Sequence, residues 1–286
     1  MKRILSFVIT VSSFFVGYSQ PQFGHELQLT ETRFALESQI HGLKWGFLHN
    51  MDTTAVGLNP TGFTNLYRSW QARPDNSGFV LLWKPIVGYW STNGLFGITS
   101  GPFYTKPSPD SSLIHPGYFF TVWQRNELSK PFRISLDIGV QLRKPAEADS
   151  TRDADVKLYP LLQRNGDKQL VTASVNSRSV FSGFSQKASQ ESLSTAFATF
   201  ANEKTYILVS GSGPVTWEAA KEDQKFTGKL TLNRSGARTL GPSSYFEWGT
   251  FNDTRTGNKN ATGYFVHVWT FENSRPVLTA VLYNFN

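Results

Sequence analysis

The sequence predicts an α+β fold written twice in one chain. Three observations carry that expectation. Gly263-Tyr264-Phe265-Val266-His267-Val268-Trp269 echoes Gly117-Tyr118-Phe119-Phe120-Thr121-Val122-Trp123, with Gly, Tyr, Phe, Val and Trp at the same relative positions. A second glycine element precedes each copy, Gly101-Pro102-Phe103-Tyr104 in one case and Gly249-Thr250-Phe251-Asn252 in the other. In each half, helical periodicity comes first and a run of apolar, β-branched strands follows, which is the order of an α+β layer. Repetition in matching order implies one domain duplicated.

In the first half, Glu26 to His41 forms a helical pattern with Leu27, Phe34 and Ala35 on one face, and Gly42 is placed to end it. Leu43 to Met51 predicts a second short helix. Phe63, Leu66, Tyr67 and Trp70 recur at spacings of a third helical face, closed by Pro74. Strands are expected at Phe79 to Trp83, Val87 to Trp90, Leu95 to Thr99, Tyr118 to Trp123 and Phe132 to Val140. In the second half, Leu193, Ala196, Phe197 and Phe200 mark a helix. A strand follows at Tyr206 to Val209, then a weaker helix through Trp217 and Ala220. Further strands are expected at Phe226 to Leu232, Ser244 to Phe251, Tyr264 to Phe271 and Val277 to Phe285.

Between the halves, residues 143–186 are polar, charged and without sustained periodicity, with one short ordered piece expected at Val156 to Leu162. So long an irregular stretch predicts a connector at a domain boundary. The expected organisation is residues 20–142, the connector 143–186, and residues 187–286. With 286 residues, each half is large enough to bury its own core. Residues 1–19 carry Lys2 and Arg3, an apolar run from Ile4 to Val16, and Gly17-Tyr18-Ser19. That is the pattern of a signal peptide cut after Ser19, and the apolar run is shorter than the roughly 20 residues a membrane span needs. The expectation is a periplasmic or secreted protein with no membrane insertion after cleavage.

The chain has no cysteine, which excludes disulfides and thiolate metal sites. Its formal net charge is +7, but Lys and Arg are scattered among Asp and Glu without a basic run. A basic soluble surface is therefore expected and a nucleic-acid partner is not. Aromatic residues make up 14%, enough to fill a β-rich core or line a cavity.

The motifs together resemble the SnoaL-like domains of the nuclear transport factor 2-like superfamily. The resemblance rests on Glu31-x-x-Phe34-Ala35-x-x-Ser38 with Gly42 and Phe47-Leu48, on Trp83-Lys84-Pro85, on the run Gly94 to Gly101, and on Gly117-Tyr118 to Trp123. In the second half Tyr245-Phe246-x-x-Gly249-Thr250-Phe251 and Gly263-Tyr264 to Trp269 stand in the corresponding places. It spans residues 26–140 and 190–286. It implies two cone-shaped domains, each with N-terminal helices packed in a strongly curved, mostly antiparallel sheet. Such domains often pair through their sheets, so an internal pseudo-dimer of the halves is expected. The open end of the cone is commonly a pocket, and members include isomerases, cyclases, dehydratases and non-catalytic modules. Many relatives have a Gly-Asp pair where this chain has Asn93-Gly94-Leu95, so no role for that acid carries over.

Candidate acid–base residues are Asp137, in the last strand of the first half, and His267. Alternation sets Asp137 with Arg133 and Ser135, opposite Ile134, Leu136 and Ile138, which predicts a polar outer face. Aligning Lys130-Pro131 with Arg275-Pro276 places Leu282 at its equivalent. His267 shares a strand face with Phe265 and Trp269. His49 and Asp52 are close enough in sequence to pair. Candidate ligand-binding residues are Trp45, Trp70, Trp83, Tyr104, Tyr118 and Trp123, which combine apolar area with a polar handle. No metal-ligand spacing, phosphate loop or nucleophile elbow is present, and no cofactor is expected. Two functions stay open: a module that binds a small apolar ligand or plays a structural part, and an isomerase, cyclase or dehydratase using one pocket acid–base residue. A ligand site is expected in the first half.

Overall fold

The computed structural model describes residues 21–75, 78–142, 156–161, 173–253, 262–272 and 274–285. It is an α+β structure with two separate curved sheets, each carrying helices on one face. The expected signal peptide and most of the expected connector lie outside the described residues.

The first half opens with α1 (Pro21–His41) and α2 (Leu43–Asn50), separated by Gly42 at a φ of 90°, a conformation that favours glycine. Strand β1 (Met51–Asn59) and β2 (Gly62–Asn65) form a hairpin, followed by α3 (Leu66–Gln71). Asn65 caps α3, its side chain accepting from Arg68 N at 2.8 Å. The helix expected from Phe63 therefore starts at Leu66, and Phe63 lies in the hairpin. Strands β3 (Val80–Trp83), β4 (Val87–Ser91), β5 (Phe96–Lys106), β6 (His115–Gln124), β7 (Arg133–Gln141) and β8 (Lys157–Leu161) complete an 8-stranded sheet. Its order is β2-β1-β7-β6-β5-β4-β8, with β3 paired to β5. The pairs β1·β7 and β4·β8 are parallel and the rest antiparallel.

The second half begins inside the stretch expected as connector, with α4 (Ala173–Gln190). Its Val180, Phe184 and Ala188 recur every four residues and are buried. Helix α5 (Leu193–Phe200) follows, capped by Ser192, which accepts from Thr195 N at 3.0 Å. Then come β9 (Ala201–Val209), β10 (Val215–Thr216), α6 (Trp217–Ala220), β11 (Leu230–Gly241), β12 (Ser244–Asp253), β13 (Thr262–Glu272) and β14 (Arg275–Phe285). The sheet order is β10-β9-β14-β13-β12-β11, with β14·β9 parallel.

Strand register aligns the two halves residue by residue. Phe103 stands opposite Gly117 as Phe251 does opposite Gly263, and Gly101 opposite Phe119 as Gly249 does opposite Phe265. A Cβ on Gly117 or Gly263 would collide with the ring of Phe103 or Phe251, so both glycines are required by the same close approach.

Each sheet has two buried faces. In the first half, Trp123 and Ile134 point toward α1–α3 and pack with Phe34, Phe47 and Trp70. On the opposite face, Phe120, Val122, Leu136 and Ile138 form one apolar layer with Tyr206, Val266, Val268 and Leu282 of the second half. The sheets thus meet face to face. Few hydrogen bonds cross the layer. Tyr206 Oη donates to Ser100 Oγ at 2.6 Å, and Gly211 N to Gln141 O at 2.9 Å. At the edge, Arg238 donates to Thr54 Oγ1 at 2.9 Å, and Phe63 packs on Tyr264 with centroids 5.7 Å apart.

Phe120 is fully buried in this shared layer, so Phe120→Ala should cost about 3–5 kcal/mol in urea unfolding. Hydrogen exchange should quicken in strands of both halves. Quickening confined to the first half would show that the layer does not couple them.

Candidate functional site

The first cone contains a cavity of ≈ 340 Å³. Phe34 of α1, Phe47 of α2 and Trp70 of α3 form one wall, and Trp83 and Phe103 another. Its floor is polar: Thr121 of β6 and Asp137 of β7, with Gly139 and Gln141 further along β7. Exposed Arg73 stands on the rim.

Asp137 therefore points into the cone and not onto a polar outer face. The reason is a bulge. Trp123 pairs with Ile134, but Val122 pairs with Leu136, so Ser135 is an extra residue that resets the alternation. Leu136, Ile138 and Val140 then belong to the shared layer, and the intervening Asp137 belongs to the cavity. Register also places Asp137 opposite Thr121 as Val281 stands opposite His267. Its equivalent is thus Val281, one residue before the expected Leu282, because the turns joining these strands differ in length.

Thr121 Oγ1 donates to Asp137 Oδ1 at 2.7 Å. Burial against the apolar walls raises the Asp137 carboxyl to about 7; the Thr121 bond opposes this and the nearby Glu31 carboxyl adds to it. The side chain is half-buried, so water in the cavity has access to it.

Behind this floor lies a buried carboxyl that the sequence named as part of a motif but not as a site residue. Glu31 of α1 accepts from Trp83 Nε1 at 2.7 Å through Oε1. Through Oε2 it accepts from Thr99 Oγ1 at 2.5 Å and Trp123 Nε1 at 3.0 Å. Burial raises its pKa while these three donors lower it. The signal was available: Leu27, Glu31, Phe34 and Ser38 share one helical face, and a carboxylate on an apolar face needs partners.

At the positions equivalent to that floor the second cone is filled, and its own space of ≈ 380 Å³ lies to one side, between α4 and β11. His267 is completely buried among Phe184, Phe265 and Trp269. Its Nδ1 lies 3.2 Å from Glu247 Oε1 and its Nε2 2.8 Å from Tyr283 Oη. Burial lowers the His267 pKa and raises that of Tyr283, so the neutral ring donates from Nδ1 while the tyrosine donates to Nε2. Trp269 Nε1 donates to the same Glu247 oxygen at 2.9 Å. Glu247 escaped notice in the sequence, although it lies two residues before Gly249 as Thr99 lies two before Gly101.

Four register-equivalent pairs explain why one cone is open. Thr121 corresponds to His267, Asp137 to Val281, Gly139 to Tyr283 and Gln141 to Phe285. Two aromatic rings and an imidazole in the second half become a glycine, a glutamine and a threonine in the first.

The remaining candidates are distributed as follows. Trp70 and Trp83 line the cavity. Trp123 is fully buried behind it, bonded to Glu31. Tyr104 and Tyr118 lie on the other sheet face, in the shared layer, because they alternate with cavity-facing Phe103 and Phe119. Trp45 is 40% exposed on α2, stacked on His49 with centroids 4.4 Å apart. His49 and Asp52 do not pair: Asp52 Oδ1 accepts from Thr54 N at 2.7 Å. Among the described residues no cluster of three His, Asp or Glu could hold a metal ion, and no helix is long and apolar enough to cross a membrane.

No protein-family model matches the chain, and no curated protein matches it. Among solved structures it is similar to a nuclear transport factor 2-like protein of unknown function from Shewanella oneidensis MR-1, at 16% identity and a TM-score of 0.33. That match covers 39% of this chain and 98% of the other. A nuclear transport factor 2-like protein of unknown function from Prochlorococcus is matched at 13% identity and a TM-score of 0.33, over 41% of this chain and 94% of that one. A protein of unknown function with a cystatin-like fold from Nostoc punctiforme is matched at 11% identity and a TM-score of 0.30, over 40% and 90%.

Asp137 gives a pH test with a definite sign. Its folded pKa, about 7, lies above the ordinary 3.8. Between those values the folded state holds a proton the unfolded state has lost, so this contribution to stability is full below 3.8 and gone above about 7. The melting temperature of the native protein relative to Asp137→Asn should therefore fall as pH rises through that window. The ¹³C carboxyl shift of Asp137 should titrate near 7. A midpoint near 3.8 would mean the walls do not desolvate it.

Proposed function

We propose that the chain is an exported protein whose first cone binds a small, largely apolar molecule, with the second cone as its filled support. The observation that carries this reading is the ≈ 340 Å³ cavity in the first cone, at positions where the second cone holds His267, Tyr283 and Phe285. A space of that size with aromatic walls and a few polar floor atoms suits a small organic ligand. Export rests on the pattern of Lys2, Arg3, the apolar run to Val16 and Gly17-Tyr18-Ser19.

One observation favours a second reading, proton transfer to or from the bound molecule. Asp137 has a carboxyl near neutrality, oriented by Thr121, on the floor of the cavity. Such a group exchanges a proton readily at pH 7 and would serve an isomerase, cyclase or dehydratase. Phe34 and Trp83 give it apolar neighbours, and Glu31 behind them disfavours a second negative charge.

A thermal-shift screen of small aromatic and alicyclic compounds tests binding, since a ligand of the native state raises the melting temperature. Trp70→Ala should weaken a hit by roughly tenfold or more, because an aromatic wall contributes about 1.5–3 kcal/mol of buried contact. Asp137→Asn should keep a pure binder's affinity within about threefold, less than one lost neutral hydrogen bond. If Asp137 transfers the proton, the same variant should abolish turnover of any hit that is chemically changed. Hits that shift native protein and Trp70→Ala equally would place binding elsewhere.

A further inference from the structure

On the reading that the first cone binds a small molecule, we propose that its ligand is an organic carboxylic acid, with the apolar body in the cone and the carboxylate held at the rim by Arg73. Arg73 has not been assigned a role by any sequence pattern. Three observations on the rim point to it.

First, the cone cavity does not stand alone. A second cavity of ≈ 410 Å³ lies outside it, between the α1–α2 turn and β3. Trp70, Arg73, Phe79 and Leu81 line both spaces, so Arg73 stands where they adjoin. A molecule longer than the inner cavity would pass this residue.

Second, the Arg73 guanidinium is fixed but unpaired. Its Cζ lies 4.1 Å from the Trp70 ring centroid, and Arg73 N donates to Trp70 O at 3.2 Å. Among the described residues no carboxylate pairs with it. The acid nearest in sequence, Asp75, is taken by Lys44 Nζ at 3.0 Å. Partial burial lowers the Arg73 pKa, and no neighbouring acid opposes the shift. A positioned cation without a counter-ion, beside an apolar cavity, is complementary to an anion. Because Lys44 is already neutralised, one charge remains open, which suits a monoanion. The planar fork of a guanidinium matches the two oxygens of a carboxylate.

Third, Ser38 lies on the outer cavity's wall, and its buried Oγ, beside Gly46, has no hydrogen-bond partner among the described residues. A hydroxyl left unpaired behind that wall can turn outward and donate to an anionic headgroup. The inner floor, by contrast, holds Asp137, with the Glu31 carboxyl buried behind it, and repels an anion. The charges therefore fix the orientation: apolar end inward, carboxylate outward.

The test compares 2-naphthoate with its neutral analogue 2-naphthalenemethanol, titrated against the full chain at pH 8 by isothermal calorimetry. Native protein should bind 2-naphthoate about tenfold more tightly, as expected for one charge-assisted bond. Arg73→Gln should bring the ratio close to one, and Arg73→Lys should retain part of the preference. Arg68→Gln, which removes an exposed cation of α3 outside both cavities, should keep the ratio and so separates Arg73 from the general positive charge. Equal affinity of native protein for both probes would overturn the carboxylate proposal and leave the binding reading standing. Loss of preference in Arg68→Gln as large as in Arg73→Gln would also overturn it. If neither probe binds, the cavity is not a small-molecule site and both readings fall.

Discussion

An indole N–H buried in the middle of each sheet must find an acceptor, and both cones are arranged around that need. Trp123 and Trp269 occupy the same register and are fully buried. Each donates to a carboxylate, but the carboxylates come from different elements. In the first cone it is Glu31, on a helix, and its oxygens also gather Trp83 and Thr99 from two other strands. One side chain thus ties α1 to β3, β5 and β6. In the second cone it is Glu247, within the sheet, with His267 and Tyr283 extending the network. Where the second half has Glu247 the first has Thr99, which bonds the helix carboxyl instead. A buried acid with several donors is costly to strip of a partner, about 3–5 kcal/mol when a paired charge is left alone. The first network therefore fixes how deeply α1 sits in its sheet, and the second ties β12, β13 and β14 together through their side chains.

The second constraint is that neither sheet has a solvent face to spare. The layer from Phe120 and Leu136 to Val266 and Leu282 covers what would be the outer surface of each cone. Apolar residues in these strands consequently point away from the cone as often as into it. Polar residues between them can point inward, toward the cavity. Asp137 is the clearest case, and the bulge at Ser135 is what turns it there.

That double burial also explains which parts of the molecule the sequence made legible. Helices and strands with strong periodicity were readable, and so was the duplication, because Gly117 and Gly263 meet the same steric demand from Phe103 and Phe251. Strand β1 was missed because Asp52, Thr53 and Thr54 break any apolar alternation. Helix α4 was missed because its buried Val180, Phe184 and Ala188 sit among serines and glutamines. Aromatic content alone could not separate cavity from interface. Tyr104 and Tyr118 differ from Phe103 and Phe119 only by strand parity, and parity has meaning only once both covered faces are known. Glu31 and Arg73 were hidden for a different reason. Their environments are assembled from elements far apart in the chain, so Glu31 stood out only as part of a motif and Arg73 not at all.

Duplication followed by unequal filling gives the molecule its division of labour. At equivalent places on the last two strands, the second half carries His267, Tyr283 and Phe285, and the first carries Thr121, Gly139 and Gln141. Filling a cone gains dispersion and excludes water, so the second half is stabilised by the same positions that leave the first half hollow. A hollow cone with a half-buried carboxyl forfeits part of that gain. It can persist because its sheet is held from behind by a well-packed partner in the same chain, at an effective concentration of about the millimolar range or higher. Departures from good packing that are compensated elsewhere concentrate at functional sites. By that logic the proposed site belongs at the polar floor of the first cone, and not at the buried histidine network of the second.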